Sequence, residues 1–386
     1  MPVKVYQRIT RVPKQSFFLF GPRGIGKSTW AREHLKNAFR VDLLDEALYQ
    51  DLLADPSLFS GRLAMLPGKG WVVLDEIQRL PALLNEVHRF IEERRLKFAL
   101  LGSSARKLKT AGTNLLAGRA LRKQMFPLTP NELGSDFSLD EVLQFGSIPL
   151  IWDAEDKKSA LEAYVQMYLR EEIRAEALVR NLPGFVRFLP VAAVFHGQVI
   201  NVSGIARECG TARTTVDGYL EILEDTLLAF RLRPYEAKLR VRERKHSKLY
   251  WIDPGLVRAI KKQFGPVALE ERGPLLEGWI LTLLRTFAEE SDLYDEIFFW
   301  SPTQAGQVEV DFLLKRGHEL LALEVKSGQR FSTSMLSGLR AIENLPSLVR
   351  RILIYAGRHA LKTHEGIEVW PLEDFLRALH TGRLWP

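Results

Sequence analysis

Continuous apolar runs alternate with polar turns and amphipathic stretches through the first third of the chain. The runs SFFLF, WVVLD and KFALL each have the length of one strand and lack the alternation of a half-exposed strand. Such runs are typical of parallel strands that are covered by helices on both faces. This part of the chain is therefore predicted to be an α/β domain.

The middle of the chain has a different pattern. Residues 139–190 are helical in pattern and mixed in charge, which predicts a helical lid or connector. In the following segment, Asn201 and Thr211 are suited to cap two helices, and Gly210 to form the turn between them. Three apolar residues recur at helical spacing in the second helix, namely Val216, Leu220 and Leu223. The runs LLAFRLRPY and KLYWID then predict two strands on either side of AKLRVRERKHSK, so the segment predicts a helix-turn-helix with a basic wing.

Near the C-terminus, EVDFLLKRGHELLALEVKSG predicts a β-hairpin that turns at Gly317 and His318. A turn at this place puts Asp311 opposite Glu324, and Lys326 shares a face with Glu324 because it is two residues further along the strand. Like charges that face each other destabilise a sheet unless a cation compensates them. One interpretation is an exposed face on which these charges are solvated, and the other is a functional cluster.

Composition limits the classes of protein that need to be considered. A chain of 386 residues has room for two or three domains with buried cores. Its single cysteine, Cys209, excludes an internal disulfide and a zinc site built from several cysteines. No apolar run approaches the roughly 20 residues of a membrane span, and the first residues lack the apolar segment of a signal peptide, so we expect a cytoplasmic protein without a membrane partner. The net charge of +7 favours a polyanionic partner if the positive charge is clustered.

The turn after SFFLF carries a phosphate-binding motif. GPRGIGKST fits the pattern GxxxxGK[ST] between a predicted strand and a predicted helix, which is the context that the pattern requires. Its backbone N–H groups would surround the phosphates of ATP, Lys27 would reach the β and γ phosphates, and Ser28 would bind Mg²⁺. The predicted nucleotide-binding residues are Gly21, Pro22, Arg23, Gly24, Ile25, Gly26, Lys27, Ser28 and Thr29.

Further candidates for ATP hydrolysis follow the other strands. Asp75 and Glu76 end the WVVLD run, where Asp75 is suited to the metal and Glu76 to polarising the attacking water. Ser103, after KFALLG, is a candidate γ-phosphate sensor, with an ordinary loop serine as the alternative. Arg119 or Arg122 is a candidate arginine finger that acts in the site of a neighbouring subunit, with a solvated arginine as the alternative.

Positive charge is concentrated on the predicted wing. The candidate DNA contacts are Arg213, Thr214 and Thr215 on the second helix and, on the wing, Lys238, Arg240, Arg242, Arg244, Lys245 and Lys248. Such a cluster favours contacts with the phosphate backbone, which are sensitive to salt and largely independent of sequence. The alternative is a winged helix that packs on other domains and leaves its basic loop in solvent.

The ordered motifs resemble a known family along nearly the whole chain. GPRGIGKST, VVLDEIQRLP, LLGSSARKL, LLAGRALRKQMFPLTPNEL, KLYWIDPGLVRAI and GPLLEGWILTLL are similar to the P-loop ATPases of the AAA+ superfamily whose C-terminal half is a DUF4143 region. The resemblance implies an ATPase that uses ATP and Mg²⁺ and forms a homo-oligomer, with a hexamer as one option. It also implies an α/β fold in which a P-loop AAA+ ATPase domain is followed by a winged helix-turn-helix and an α/β restriction-endonuclease-like domain.

The C-terminal acids carry a second resemblance. A glutamate on the amphipathic helix GPLLEGWILTLLRTFAEE, followed by a D…ExK hairpin, resembles the metal site of restriction-endonuclease-like folds. By this resemblance Glu277, Asp311 and Glu324 would hold Mg²⁺ and Lys326 would position the water, and Gln329 follows in order. The pattern indicates descent from a metal nuclease and does not by itself establish cleavage.

These observations predict four segments: an ATPase core at residues 1–135, a helical connector at 136–190, a winged helix at 191–250 and a nuclease-like domain at 251–386. The predicted function is an ATP-dependent DNA motor or remodeller. The alternatives are an ATP-controlled switch that binds a protein or a promoter, and an ATP-gated metal-dependent nuclease.

Overall fold

A parallel five-stranded sheet forms the N-terminal part of the protein, with strand order β2-β3-β4-β1-β5. The computed structural model describes residues 4–104, 106, 116, 118–168, 182–235, 246–302 and 308–386. The strands of this sheet are β1 (Phe17–Phe20), β2 (Phe39–Asp42), β3 (Trp71–Asp75), β4 (Lys97–Gly102) and β5 (Leu121–Gln124). The predicted α/β class and the predicted buried parallel strands are thus confirmed for this region.

Alternate residues of β1, β3 and β4 enter different cores, as expected for strands that are covered on both faces. Phe17 and Leu19 join a core shared with the rest of the protein, whereas Phe18 and Phe20 face a second core formed with the local helices. The helices of this region are α1 (Lys27–His34), α2 (Glu46–Ala54), α3 (Ser57–Ala64) and α4 (Leu83–Arg94).

Short helices connect the first sheet to the middle of the chain. These are α5 (Pro130–Leu133), α6 (Leu139–Phe145), α7 (Pro149–Trp152) and α8 (Lys157–Ala163), and α9 (Leu182–Val194) follows later in the chain. Thr129 and Glu132 form a capping box at the start of α5. The helical character predicted for this segment is present in its described residues.

Two helices and a small antiparallel sheet come next. Helices α10 (Val202–Glu208) and α11 (Arg213–Asp225) precede a sheet of order β6-β8-β7, made of β6 (Gln198–Val199), β7 (Ala229–Leu232) and β8 (Lys248–Trp251). The Asn201 side chain accepts a hydrogen bond from Gly204 N–H at 3.1 Å, as a helix cap does, and Gly210 has a positive φ of 60°. The predicted cap at Thr211 is wrong, because α11 begins one residue later, after Ala212, and has no side-chain cap.

The C-terminal part combines a long helix with a six-stranded sheet of order β13-β14-β12-β11-β10-β9. The strands are β9 (Glu296–Trp300), β10 (Val310–Arg316), β11 (Glu319–Lys326), β12 (Leu348–Tyr355), β13 (Leu361–Lys362) and β14 (Glu368–Pro371). The helices are α12 (Pro254–Ile260), α13 (Leu269–Ser291), α14 (Ser337–Ala341) and α15 (Leu372–Thr381). Within the described part of the chain, no helix has both the length and the apolar character that a membrane span needs.

The predicted hairpin is present as β10 and β11. Phe312 pairs with Leu323, and the same register continued by one residue places Asp311 opposite Glu324. Both acids are only 4% exposed. The interpretation of this face as solvated surface is therefore wrong, because α13 and the middle sheet cover it.

Candidate functional site

The glycine-rich turn lies between the end of β1 and the start of α1. Gly24 and Gly26 have positive φ angles of 73° and 93°, which glycine adopts without strain. Lys27 begins α1, is buried, and donates hydrogen bonds to the carbonyl oxygens of Gly21 and Pro22 at 2.7 and 3.1 Å. The turn therefore holds its lysine against its own backbone.

Two acids stand at the end of β3 on the same side of the sheet as this turn. Burial raises the pKa of Asp75, and a hydrogen bond with the Ser28 side chain partly offsets that effect. Glu76 follows in a left-handed backbone conformation, with φ of 55°, which is uncommon for a residue with a side chain and is found at functional sites. The structure thus brings Lys27, Ser28, Asp75 and Glu76 into one neighbourhood, as the motifs predicted.

Gln78 links Glu76 to Ser103, the residue that follows β4. Its amide nitrogen donates to a carboxylate oxygen of Glu76 and, at 3.0 Å, to the hydroxyl of Ser103. All three residues are buried. Ser103 therefore lies beside Glu76, but sequence reasoning missed Gln78 because a glutamine in a loop carries no motif.

A cavity of about 630 Å³ opens over the turn. Besides the turn, it is lined by residues that come before β1, including Tyr6 and Arg8, and by Pro149 and Leu150 of α7. Arg8 donates to the carbonyl oxygen of Ile25 at 2.7 Å and pairs with Glu132 at 2.8 Å, and both of these charged side chains are buried. Arg8 was not predicted, since its partners lie 17 and 124 residues away in the sequence.

The arginine-finger candidates lie elsewhere. Arg119 forms an ion pair with Glu92, and Arg122 lies on β5 with its guanidinium 5.8 Å from the ring centre of Phe20. Neither residue is among those that line the cavity. Their predicted action on a neighbouring subunit stays a prediction.

The predicted DNA-binding residues fall into three groups. Arg213 and Thr214 are exposed at the start of α11, and Thr215 is half-buried there. Lys238, Arg240, Arg242, Arg244 and Lys245 lie outside the described residues. The structure contradicts the assignment of Lys248 as a DNA contact, because this lysine is 2% exposed and surrounded by carboxylates.

Lys248 belongs to a cluster, called the acid cluster below, made of Glu277, Glu309, Asp311, Glu324, Lys248, Lys326 and Tyr250. Glu309 and Lys326 lie at its edge, with side chains 43% and 38% exposed, and the other members are buried or nearly so. The Lys248 Nζ atom lies 3.3 Å from Glu277 Oε1, 3.0 Å from Glu309 Oε1 and 3.8 Å from Asp311 Oδ1. Lys326 pairs with Glu324, and Tyr250 donates its hydroxyl hydrogen to Glu277.

Burial sets the electrostatics of this cluster. Loss of solvent raises the pKa of Glu277, of Asp311 and of Glu324 above the usual range for carboxyl groups. For Lys248, burial favours the neutral amine, but Glu277, Asp311 and Glu309 outweigh it, so the pKa of Lys248 is raised. The acids therefore favour the charged form of Lys248, whereas burial opposes the charge on the acids themselves.

The arrangement does not fit the predicted divalent metal. Within the described ranges, no group of three or more His, Cys, Asp or Glu side chains is placed to hold a metal ion. The ammonium group of Lys248 lies beside Glu277 and Asp311, where the resemblance would place Mg²⁺. The prediction that Glu277, Asp311 and Glu324 form a metal site with Lys326 is contradicted for this reason.

Family comparisons divide the chain into three parts. Residues 13–134 match a family described as an AAA domain, and residues 272–375 match a domain of unknown function, DUF4143. Residues 136–266 match another domain of unknown function, DUF8612. The predicted combination of a P-loop AAA domain with a DUF4143 region is confirmed, whereas the four predicted segment boundaries stay a prediction.

Relatives align with this chain over most of their length. Uncharacterized proteins of Mycobacterium bovis and Mycobacterium tuberculosis are each 28% identical over 370 residues, which span 93% of this chain and 80% of theirs. An uncharacterized protein of Haemophilus influenzae is 22% identical over 327 residues, which span 80% of this chain and 78% of its own.

Similarity to solved structures is distant. The Aeropyrum pernix ORC1 protein, solved in complex with DNA, is 16% identical with a TM-score of 0.27, over 64% of this chain and 86% of that one. Protein VC1899 of Vibrio cholerae is 12% identical with a TM-score of 0.25, over 96% and 97% of the two chains.

Proposed function

We propose that this chain, in which an AAA domain at residues 13–134 precedes a DUF4143 domain at residues 272–375, is an ATPase that couples ATP hydrolysis to the remodelling of DNA. The observation that carries the ATPase part is the single neighbourhood formed by Lys27, Ser28, Asp75 and Glu76 beside a cavity of about 630 Å³. An AAA domain implies nucleotide binding, typically of ATP with Mg²⁺.

Each of these side chains has a task that suits its position. Lys27 would exchange its backbone carbonyl partners for phosphate oxygens, and Ser28 and Asp75 would hold Mg²⁺, which would supply positive charge beside the phosphates. Glu76 would polarise the attacking water, and Gln78, which also donates to Ser103, holds the Glu76 carboxylate in place. Ser103 stays our candidate for the γ-phosphate sensor. Arg119 or Arg122 acts in the site of a neighbouring copy in a homo-oligomer, for which a hexamer is our hypothesis.

The DNA part of the proposal depends on the middle region. Helices α10 and α11 followed by antiparallel strands β7 and β8 support a winged helix, with Arg213 and Thr214 on an exposed helix start. The residues between these strands include Lys238, Arg240 and Arg242, which would contact the phosphate backbone. Recognition of DNA structure rather than sequence is the expected mode.

The test of hydrolysis compares the wild type with Glu76→Gln. We expect hydrolysis to fall by about a hundredfold or more, because a general base contributes about 10² to 10⁴ in rate. Binding of MgATP should persist, since Lys27 and the glycine-rich turn are unchanged. Normal hydrolysis in Glu76→Gln would show that another group polarises the water.

The test of coupling measures ATPase rates and reaction products with single strands, duplexes, forks and four-way junctions. A remodeller should show stimulation by at least one DNA structure together with displacement of a strand or branch. Slow turnover that is indifferent to every DNA would instead support a regulatory switch. Replacing Lys238, Arg240, Arg242 and Arg244 by serine should weaken DNA binding and reduce its salt dependence, by about 0.9 in log–log slope for each phosphate that the protein no longer neutralises.

A further inference from the structure

The backbone of Lys248 is paired with a strand on each side. It lies on β8, the central strand of the middle sheet, and pairs with Val199 of β6 and Leu232 of β7. Its side chain crosses from this sheet to α13 and β10 and is 2% exposed. The backbone that carries the ammonium group therefore belongs to a part of the protein that does not contribute the acids.

The Lys248 ammonium group is surrounded by carboxylates and an aromatic ring, as a bound cation from solution would be. Carboxylate oxygens of Glu277 and Glu309 lie at 3.3 and 3.0 Å, and one of Asp311 lies at 3.8 Å. The aromatic ring of Phe299 has its centre 5.6 Å from Nζ, within the range of a cation–π contact. Three acids and one ring thus surround a single positive charge.

We propose that the cation which this acid cluster binds is the ammonium group of Lys248 and not a divalent metal. The lysine then acts as a buried ionic link between the middle sheet and the C-terminal helix and hairpin. The cluster is consequently not a centre for metal-dependent cleavage of DNA. This inference goes beyond the proposed ATPase function and does not depend on it.

The chemistry of the two cations makes them alternatives. Mg²⁺ requires nearly octahedral oxygen ligands at about 2.0–2.1 Å and usually keeps several waters. Such an ion beside Glu277 and Asp311 would stand next to the ammonium group, and the two positive charges would repel each other in a buried place. The backbone of Lys248 is paired on both edges and its side chain is buried beside the acids, so an ion could bind there only if the lysine side chain turned away.

The acids on the hairpin also have internal partners. Asp311 Oδ2 accepts a hydrogen bond from Val325 N–H at 2.8 Å, and Glu324 pairs with Lys326. Asp311 therefore contacts the protein through both carboxylate oxygens, because its Oδ1 lies 3.8 Å from Lys248 Nζ. Glu324 uses only Oε1, and its buried Oε2 has no hydrogen-bond partner among the described residues. This arrangement agrees with a structural cluster in which lysines supply the positive charge.

The test is titration of nucleotide-free, full-length protein with Mn²⁺, followed by electron paramagnetic resonance. We expect the wild type and Glu277→Gln to bind Mn²⁺ equally, because the wild-type cluster holds no metal. Lys248→Ser removes the ammonium group and leaves the acids, so it should bind one Mn²⁺ at least about tenfold more tightly than the wild type. Lys315→Ser is the control. Lys315 pairs with a single glutamate, Glu296, within the C-terminal six-stranded sheet and lies outside the acid cluster.

Two results would overturn the proposal. One is Mn²⁺ binding by the wild type that Glu277→Gln abolishes, which would identify a resident metal site. The other is a folded Lys248→Ser protein that binds Mn²⁺ no better than Lys315→Ser. If Lys248→Ser unfolds even with Mn²⁺, the comparison of the wild type with Glu277→Gln still decides the question.

Discussion

The buried ion pair between Arg8 and Glu132 should be a strong determinant of the stability of the nucleotide cavity. Its side chains are 6% and 1% exposed, and Nε and Oε1 are 2.8 Å apart. Glu132 also accepts hydrogen bonds from the N–H groups of Ile9 and Thr129, at 2.8 and 2.7 Å. The substitution Glu132→Gln keeps the shape of the side chain but removes its charge and turns an amide NH₂ toward one of these donors.

The expected loss follows from this geometry. Breaking a buried pair by removing one partner costs about 3–5 kcal/mol, because the other charge is left buried without compensation. A change of 1 kcal/mol shifts the melting temperature of a large domain by roughly 2 °C. Glu132→Gln should therefore lower the melting temperature by about 6–10 °C. It should also weaken MgATP binding, since Arg8 donates to the Ile25 carbonyl of the glycine-rich turn.

The assay is thermal unfolding, with Glu46→Gln as the matched control. Glu46 pairs with Arg79 at 2.9 Å, but its side chain is 63% exposed, so solvent screens the pair. Little or no change is expected for the control. Equal shifts in Glu132→Gln and Glu46→Gln would refute the reasoning that burial makes the first pair important.

Two further predictions concern the packing between the middle and C-terminal parts. A Cβ atom at Gly255 would lie 2.0 Å from the carbonyl oxygen of Phe145, so Gly255→Ala should destabilise the protein by about 2–3 kcal/mol in denaturant unfolding. Gly218→Ala, with no atom within 4 Å of the new Cβ, should instead be neutral or stabilising, and the reverse order would contradict this account. Burial lowers the pKa of His196 to about 3, so the unfolded chain binds a proton below about pH 6.5 that the folded protein does not, and stability falls as the pH falls toward 3. In His196→Asn, the free energy of unfolding should depend less on pH between pH 7 and pH 5, by up to about 1.4 kcal/mol per pH unit. An unchanged pH dependence would assign the titration to another group.

The fold and the nucleotide site were predictable from the sequence to the extent that they depend on local pattern. The apolar runs predicted the parallel strands, and the spacing of glycine, lysine and serine predicted the turn before Lys27. The hairpin register was also predictable, because the turn at Gly317 fixes which residues lie opposite each other. Each of these features is decided by residues that are close together in the chain.

The parts that sequence reasoning missed depend on contacts between distant segments. Lys248 was assigned to an exposed wing because its neighbours in sequence are basic, yet its side chain meets acids that follow it by 29 to 63 residues. Arg8 similarly meets Glu132 across 124 residues. The burial of Asp311 and Glu324 required knowledge of what covers the hairpin. Tertiary burial converted charges that local pattern marks as surface into paired internal groups.

The large hydrophobic core has a consequence for how this protein can move. It runs from Phe17 in the first sheet through Trp251 in the middle sheet to Trp279 and Phe312 in the C-terminal part, and α13 contacts strands of both the first and the last sheet. Hinge bending between these parts would have to open this packed apolar interior to water. If this chain works as the homo-oligomeric ATPase proposed above, ATP-driven work would be transmitted by displacing whole protomers against one another, and not by swinging one domain of a chain about a linker.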